Sequence, residues 1–294
     1  MKIIDGKQLA EQIKQELAAE VAAIKAEGRK IPHLAAVLVG DNPASQVYVR
    51  NKVRSCEEAG FKSTLVHQDG DITEAALIEI VHRLNNDADI DGFIVQLPLP
   101  KHINEEKITL AIDPKKDVDG FHPVNFGRMA LGLPSYLPAT PFGIVTMLER
   151  YNIETAGKHA VVVGRSNIVG TPMAILLSRK GKVGDCTVTI THSRTRNLPE
   201  IVRQADIIVA AIGRANFVTA DMVKEGAVVI DVGINRVDDP SAKRGSRLVG
   251  DVDYENVAPK CSFITPVPGG VGPMTVMSLL MNTLKASKKE IYGD

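Results

Sequence analysis

The chain has 294 residues, 44% of them hydrophobic and 24% charged, with Lys+Arg and Asp+Glu both at 35 and a formal net charge of zero. That is enough apolar material for one large domain or two of ordinary size, and the balanced charge argues against a general polyanion binder while leaving a local basic pocket open. The cysteines Cys56, Cys186 and Cys261 lie far apart, with no CxxC and no Cys/His cluster, so neither a disulfide framework nor a metal site is expected, and a reduced, cytoplasmic setting is.

The N-terminal MKIIDGKQLAEQ has no signal-peptide apolar stretch, and no apolar run reaches membrane-spanning length. Asp5 is placed to cap a first helix, in which Leu9, Ile13, Leu17, Val21 and Ile24 recur at helical spacing until Gly28 stops it. HLAAVLVG reads as a buried strand and SQVYVRNKVRSCEEAG as a second helix with Val49, Val53 and Cys56 as its core stripe. Tyr48 and Lys52 sit beside that stripe, one turn apart, free to face a cleft. STLVHQ is a strand, TEAALIEIVHRLNN a helix and IDGFIVQL another strand. From 97 to 141 prolines and glycines cluster, which is loop chemistry, and loops on a rigid scaffold commonly carry function. A helix in FGIVTMLERYN leads into a second alternation, with strands in HAVVVG, CTVTITHS, ADIIVAAIG and AVVIDVG. A Gly-rich loop, PVPGGVGPMT, precedes a last helix through VMSLLMNTLKAS. No internal repeat is visible. Strands alternating with helices predict parallel βαβ units and an α/β class.

VVVGRSNIVGTP reads as strand, tight turn and helix start. Gly164 ends the strand, Ser166 stands where the dinucleotide fingerprint has its second glycine, and Gly170 opens the helix. A small residue at 166 lets backbone N–H groups approach a pyrophosphate. The glycines alone fit a plain strand–helix turn equally well, and the surrounding βαβαβ series favours the cofactor. NAD-binding folds place an acid at the end of the second strand, but here that strand ends in Thr191–Thr195, with no acid. Hydroxyls and a cation there suit a 2′-phosphate, as does Arg165 in the turn, whereas Arg194 also fits a solvated loop charge. The expected cofactor is NADP. Gly213 and the Gly233–Ile234 pair follow the next two strands and are candidate nicotinamide contacts.

A Tyr/Lys pair four residues apart is shared with short-chain dehydrogenases, but there it follows the Gly-rich turn. Here Tyr48 and Lys52 precede Gly164 and belong to another αβ unit. Gln96 at a strand end and Asp119 in a Gly/Pro loop are expected at the same sheet edge as the pair, because strand ends and their following loops converge there.

Taken in order, YVRNKVRSCEEAGF, DGFIVQLPLP, PKKDVDGFHPVNFG, VVVGRSNIVGTP, ADIIVAAIG, GAVVIDVGIN, GDVDYE and ITPVPGGVGPMTV make the chain resemble, along nearly its whole length, the bifunctional methylenetetrahydrofolate dehydrogenase/cyclohydrolase family. The resemblance implies an N-terminal α/β substrate domain over 1–140 and 274–294 and a Rossmann-type doubly wound parallel-sheet NADP domain over 141–273. The last helix would return to the first domain, and the active site would lie between the two. It also implies a homodimer and a role in one-carbon metabolism that feeds purine biosynthesis. Lys52 would be the central catalytic group, Gln96 its hydrogen-bonding partner and Tyr48 a positioning residue beside the folate ring. Asp119 would bind the pterin, since a carboxylate accepts two bonds from an amino group and the adjacent ring N–H. Gly164, Arg165 and Ser166 would hold NADP, with Ser193 and Ile234 as further contacts. Gly269, Gly270 and Gly272 would let the backbone pass close to folate and nicotinamide. Two family positions differ: PCTP reads PATP, with Ala139, and CHS reads THS, with Thr191.

The reaction so implied is oxidation of 5,10-methylenetetrahydrofolate by NADP⁺ and hydrolysis of the methenyl product to 10-formyltetrahydrofolate. A shikimate-type NADP dehydrogenase of a small hydroxy acid and a non-catalytic NADP- or folate-sensing module are the competing readings. The intact set Tyr48, Lys52, Gln96 and Asp119 speaks against the second. Neutral charge without a helix-turn-helix signature speaks against a nucleic-acid partner.

Overall fold

The computed structural model describes residues 1–241 and 245–293. In chain order it contains β1 (Lys2–Ile3), α1 (Gly6–Ala26), β2 (His33–Val39), α2 (Pro43–Glu58), β3 (Lys62–Gln68), α3 (Glu74–Asn86), β4 (Gly92–Val95), α4 (Glu105–Ala111), α5 (Pro123–Ala130) and α6 (Ala139–Arg150). There follow β5 (His159–Val163), α7 (Gly170–Ser178), β6 (Thr187–Thr191), α8 (Leu198–Arg203), β7 (Ile207–Ala210), β8 (Val228–Asp231), β9 (Asn235–Asp238), β10 (Ser246–Val249), α9 (Tyr254–Val257), β11 (Phe263–Ile264) and α10 (Val271–Ser287). The chain divides into two units, one of Met1–Ala10 with Thr140–Thr275 and one of Glu11–Ala139 with Val276–Asp294.

The unit of 11–139 and 276–294 is built on a parallel sheet in the order β3-β2-β4. Every residue of the central strand β2 is buried, as expected of a strand covered on both faces. One face packs Ala35, Val37, Phe93 and Val95 against Leu77, Val81 and Leu84 of α3 and Ile108 of α4. Thr73 caps α3 by accepting the Ala76 N–H at 3.2 Å. On α2, Val49 and Cys56 are buried as the periodicity predicts, and Val53 is half-buried. Two helices stand where the Pro/Gly-rich sequence reads as loop. Asn104 caps α4 by accepting from Glu106 and Lys107. His122 caps α5 through Nδ1, which accepts the Val124 N–H at 3.1 Å, with Pro123 at the first helical position. Caps and an N-terminal proline start helices that have too few turns to show a periodicity.

The other unit carries a six-stranded sheet in the order β1-β11-β8-β7-β5-β6, parallel throughout. Four of these strands are read from sequence. β1 and β11, of two residues each, are too short for an alternation to register. Asp5 caps α1 as expected, its Oδ1 accepting the Gln8 N–H at 2.8 Å. α6 and α10 begin earlier than their apolar periodicity suggests, each with a proline, Pro141 or Pro273, in the first turn. A polar hairpin, β9–β10, is also absent from the sequence reading.

The two sheets repeat one arrangement. β2 pairs with both β3 and β4, as β5 pairs with β6 and β7. His33 opens β2, its N–H donating to Asp91 Oδ2 at 2.8 Å and its Nε2 lying 2.8 Å from Thr64 Oγ1. His159 opens β5 with its N–H on Asp206 Oδ2 at 2.8 Å and its Nε2 3.0 Å from Thr189 Oγ1. Lys30 pairs with Asp91 and Lys224 with Asp206. The recurrence is of architecture, carried by four residues per unit, which is why no repeat is visible in the sequence.

Candidate functional site

In a parallel sheet the loops leaving the strand C-termini share one edge, and each unit gathers its candidates there. In the β3-β2-β4 unit, Gln96 follows β4 directly. Its N–H donates to Val37 O at 2.9 Å and its Nε2 to Leu97 O at 2.7 Å. The amide is thereby oriented with Oε1 toward α2, where it accepts from Lys52 Nζ at 3.1 Å. Lys52 is half-buried. Burial lowers its pKa, and the negative charge of Asp119 opposes that shift. Burial likewise raises Asp119, with Lys52 acting in the other direction. The structure thus brings Lys52, Gln96 and Asp119 together. Tyr48, one turn before Lys52, is 45% exposed, which leaves its ring available to pack on a flat ligand. One turn after Lys52, Cys56 is buried and its thiol is pushed up to about 12, so it stays protonated and is no nucleophile.

Asp119 lies on a tightly held turn. Asp117, 2% exposed, accepts the N–H groups of Phe121 at 3.2 Å and His122 at 2.8 Å and the side-chain amide of Asn125 at 2.9 Å. Burial pushes Asp117 up to about 7. Gly120 has φ +72°, and a Cβ there would lie 2.6 Å from the Leu137 carbonyl carbon, so only glycine closes this turn. The Asp119 carboxylate has no hydrogen-bond partner among the described residues. It lines a small cavity with Asp117, Phe93, Leu97, Ile108 and Phe121, and a carboxylate without a bond of its own can accept N–H groups from a ligand.

In the six-stranded unit, Gly164 follows β5 with φ +126°, and a Cβ there would stand 2.1 Å from Ala211 O. Ser166 Oγ accepts the N–H groups of Val169 and Gly170 at 3.2 and 3.4 Å, closing the turn that starts α7. Arg165, Ser166, Ser193, Arg194 and Gly213 are exposed, as is Ile234 at 49%. β6 ends on Thr191, and the His192–Thr195 turn is closed by its own residues, Thr195 Oγ1 accepting the His192 N–H and His192 Nδ1 the Arg194 N–H. The arginine side chains stand clear of that bonding, and no acid occupies the position that would bind a 2′-hydroxyl. A close-approach glycine, a helix N-terminus and exposed cations fit a dinucleotide carrying an extra phosphate. Gly269 has φ +105° with open space at its Cβ position, a Cβ at Gly270 would stand 2.5 Å from Pro266 O, and a Cβ at Gly272 would meet only the Ile234 side chain, at an ordinary 3.7 Å. Gly272 is therefore not required by the protein's own packing. No group of His, Cys, Asp and Glu among the described residues is arranged to hold a metal ion.

Two buried acids near this edge escaped the sequence reading. Asp251 Oδ2 accepts the N–H groups of Ile212 at 2.7 Å and Gly213 at 2.9 Å, and its Oδ1 accepts the Arg214 N–H and Asn235 Nδ2, both at 2.9 Å. Asp231 accepts from Gly233, Asp251 and Val252, and burial pushes it up to about 6. They fix the loops that carry Gly213 and Ile234. The signal was present in GDVDYE, where an acid directly follows a glycine at a strand end.

Comparison with known proteins bears on what this geometry serves. The family model described as tetrahydrofolate dehydrogenase/cyclohydrolase, catalytic domain, matches residues 4–119, and that described as tetrahydrofolate dehydrogenase/cyclohydrolase, NAD(P)-binding domain, matches residues 138–291. The chain belongs to the tetrahydrofolate dehydrogenase/cyclohydrolase family. Within it, the bifunctional protein FolD of Cytophaga hutchinsonii is 63% identical over 287 residues, covering 98% of this chain and 99% of the relative. The crystal structure of the bifunctional FolD methylenetetrahydrofolate dehydrogenase/cyclohydrolase from Campylobacter jejuni is 48% identical, with TM-score 0.93 and 99% of each chain covered. The Trypanosoma brucei N5,N10-methylenetetrahydrofolate dehydrogenase-cyclohydrolase, complexed with NADP and an inhibitor, is 39% identical, with TM-score 0.92 and coverage of 99% of this chain and 98% of that one. Outside the family, the Thermus thermophilus shikimate 5-dehydrogenase shares the fold alone, at 14% identity and TM-score 0.52 over 87% of this chain and 99% of that one.

Proposed function

We propose that the protein is a bifunctional NADP-dependent 5,10-methylenetetrahydrofolate dehydrogenase and 5,10-methenyltetrahydrofolate cyclohydrolase, with Lys52 as its proton carrier. The observation that carries the reading is the half-buried Lys52 ammonium on Gln96 Oε1 at 3.1 Å, with Asp119 as its neighbouring charge, in a chain of this family. The shikimate-type alternative has only a shared fold behind it.

In the first step the methylene carbon loses hydride and becomes the methenyl cation. Gly164, Arg165 and Ser166, with Ser193, Gly213 and Ile234 as further contacts, would hold NADP⁺, which would supply the hydride acceptor. The folate's own nitrogen provides the electron push, so the protein's part is orientation. Asp119 accepts the pterin amino group and ring N–H, Tyr48 packs beside the ring, and Gly269, Gly270 and Gly272 keep the backbone low.

In the second step water adds to the methenyl carbon and both its protons must leave, one reaching the departing nitrogen and one released to solvent to balance the cation's charge. An unperturbed lysine has a pKa of about 10.4, so roughly one in 2,500 is neutral at pH 7, and each unit by which burial lowers it raises that share tenfold. The methenyl cation adds a positive charge beside Lys52 and acts in the same direction. A neutral amine donating one N–H to Gln96 Oε1 keeps a lone pair for the water. Gln96 thereby fixes the amine's direction without taking its proton.

The deciding experiment mixes the protein with methylenetetrahydrofolate and NADP⁺, following methenyl and reduced-cofactor absorbance, and then measures loss of supplied methenyltetrahydrofolate above the uncatalysed background. Absence of both activities, with turnover of a small hydroxy acid, would overturn the proposal. We further infer a cytoplasmic homodimer that supplies formylated folate for purine biosynthesis. Sedimentation tests the dimer. No helix among the described residues is long and apolar enough to cross a membrane.

A further inference from the structure

Asp119 is aimed by residues that do not touch its side chain. Its neighbours in the turn are each held from a different direction. Asp117 is bonded through its carboxylate to Phe121, His122 and Asn125. Asn282 of α10, fully buried, donates its amide to Val118 O and to Leu137 O, both at 2.9 Å. Gly120 is pressed against Leu137. Asp117 and Asp119 both line the cavity, and Asp119 is the one whose carboxylate this frame leaves without a hydrogen bond among the described residues.

The link in the frame that is tied to the chain's last residues is Asn125, itself fully buried. Its amide uses every position it has. Nδ2 donates to Pro114 O at 3.0 Å and to Asp117 Oδ2 at 2.9 Å, while Oδ1 accepts the Tyr136 N–H at 3.4 Å and the Tyr292 hydroxyl at 2.8 Å. The acceptors Pro114 O and Asp117 Oδ2 and the Tyr136 N–H set which way round the amide sits, and because the Tyr136 bond is long the Tyr292 hydroxyl is the shorter of the two bonds that hold Oδ1 in place. A reversed amide would set Oδ1 against the Asp117 carboxylate and the Pro114 carbonyl, two acceptors facing an acceptor. Tyr292 belongs to the short tail after α10, and its ring is held by the Arg128 guanidinium 4.9 Å from its centroid and by Tyr136 at 5.9 Å. The tail is thus connected to the turn by a directional chain, Tyr292 to Asn125 to Asp117.

We propose that Tyr292 and Asn125 are positioning residues for Asp119, so that the C-terminal tail sets the affinity of the pterin site. This rests on the pterin role of Asp119.

The test is a double-mutant cycle read by calorimetry with tetrahydrofolate and, separately, with NADP⁺, on the full chain. Tyr292→Phe removes only the hydroxyl and keeps the ring contacts. It should weaken tetrahydrofolate roughly 3- to 10-fold, the equivalent of one ordinary hydrogen bond, raise the KM for methylenetetrahydrofolate more than it lowers kcat, and leave NADP⁺ binding unchanged. Asn125→Asp, which offers no donor to Asp117, should act in the same direction and more strongly. In an Asp119→Ala background Tyr292→Phe should have no further effect on tetrahydrofolate, because the residue it positions is gone. If Tyr292→Phe weakens tetrahydrofolate by the same factor in both backgrounds, or not at all in the wild type, the inference is overturned while the role of Asp119 stands. If Asp119→Ala itself leaves tetrahydrofolate affinity unchanged, the pterin reading falls and takes this inference with it. A merely structural hydroxyl would lower the melting temperature and leave the cycle additive, which also counts against the inference.

Discussion

Replacing Lys52 by Met separates the two activities. Methionine keeps the apolar stem that packs along α2 but has no exchangeable proton and cannot donate to Gln96 Oε1, now 3.1 Å from Lys52 Nζ. The effect on stability follows from the linkage. Burial lowers the folded-state pKa of Lys52 below its ordinary value, so the folded protein binds this proton less readily than the unfolded chain. That costs stability at neutral pH, and the cost is relieved as pH rises from the lowered value toward about 10.5. Removing the amine relieves the same cost at pH 7 but takes away the cation that counters the raised pKa of Asp119. The two effects oppose each other, and the melting temperature should stay within about 3 °C of wild type. The catalytic effect is not balanced in this way. A positioned acid–base group contributes roughly 10²- to 10⁴-fold, so loss of supplied methenyltetrahydrofolate should fall at least about 100-fold. Methenyl formation with NADP⁺ needs no protein base and should persist in part. In the wild type the hydrolytic rate should rise with pH as Lys52 loses its proton. A Lys52→Met protein that hydrolyses the methenyl substrate at the wild-type rate would refute the assignment.

Asp119→Asn keeps shape but turns one acceptor toward the pterin donors into a donor, so tetrahydrofolate binding should fall about 10- to 100-fold with NADP⁺ binding intact, and unchanged affinity by calorimetry would remove the role. Arg165→Ala should weaken NADP⁺ relative to NAD⁺ by roughly 1.5–3 kcal/mol, one charge-assisted bond, and equal weakening of both would exclude a 2′-phosphate contact. Gly164→Ala should lower stability by about 2–5 kcal/mol in thermal melting, since its Cβ would meet Ala211 O at 2.1 Å at φ +126°; a variant that melts like wild type would show that the turn can move aside.

The elements legible in the sequence are those with enough residues for a period. The stripe Leu9, Ile13, Leu17, Val21 and Ile24 is buried along α1 as read, and Tyr48 and Lys52 fall on α2 beside Val49 and Cys56. The misses share a physical cause. β1 and β11 have two residues each, and α4 and α5 have seven and eight, too few for a pattern, so they depend on caps and neighbours that a local reading does not weigh. The site shows the same limit more sharply. KKDVDG offers two acids, and sequence alone does not say which is bonded within the protein and which is left without a partner. That is decided by Asn125, eight residues beyond Asp117, and by the N–H groups of Phe121 and His122. The motif marks the place, and contacts from residues just beyond it divide the labour within it.

That division holds at both ends of the sheets. At the strand starts, Asp91 and Asp206 hold His33 and His159 and are answered by Lys30 and Lys224, so each acid faces a cation and its charge is settled. At the strand ends, Asp117, Asp231 and Asp251 are buried and face chiefly backbone N–H groups. A carboxylate satisfied by N–H donors fixes the geometry of a loop without bringing a second side-chain charge beside it. On the roles proposed above, this leaves Asp119 as the acid beside Lys52 and leaves the exposed Arg165 and Arg194 for a ligand phosphate. Placing another lysine against Asp117 would bring a fixed cation near Asp119 that competes with Lys52 for that carboxylate. The use of neutral amides, Asn125 and Asn282, to tie the folate turn is the arrangement that keeps the turn rigid and leaves the Lys52–Asp119 pair to respond to the substrate.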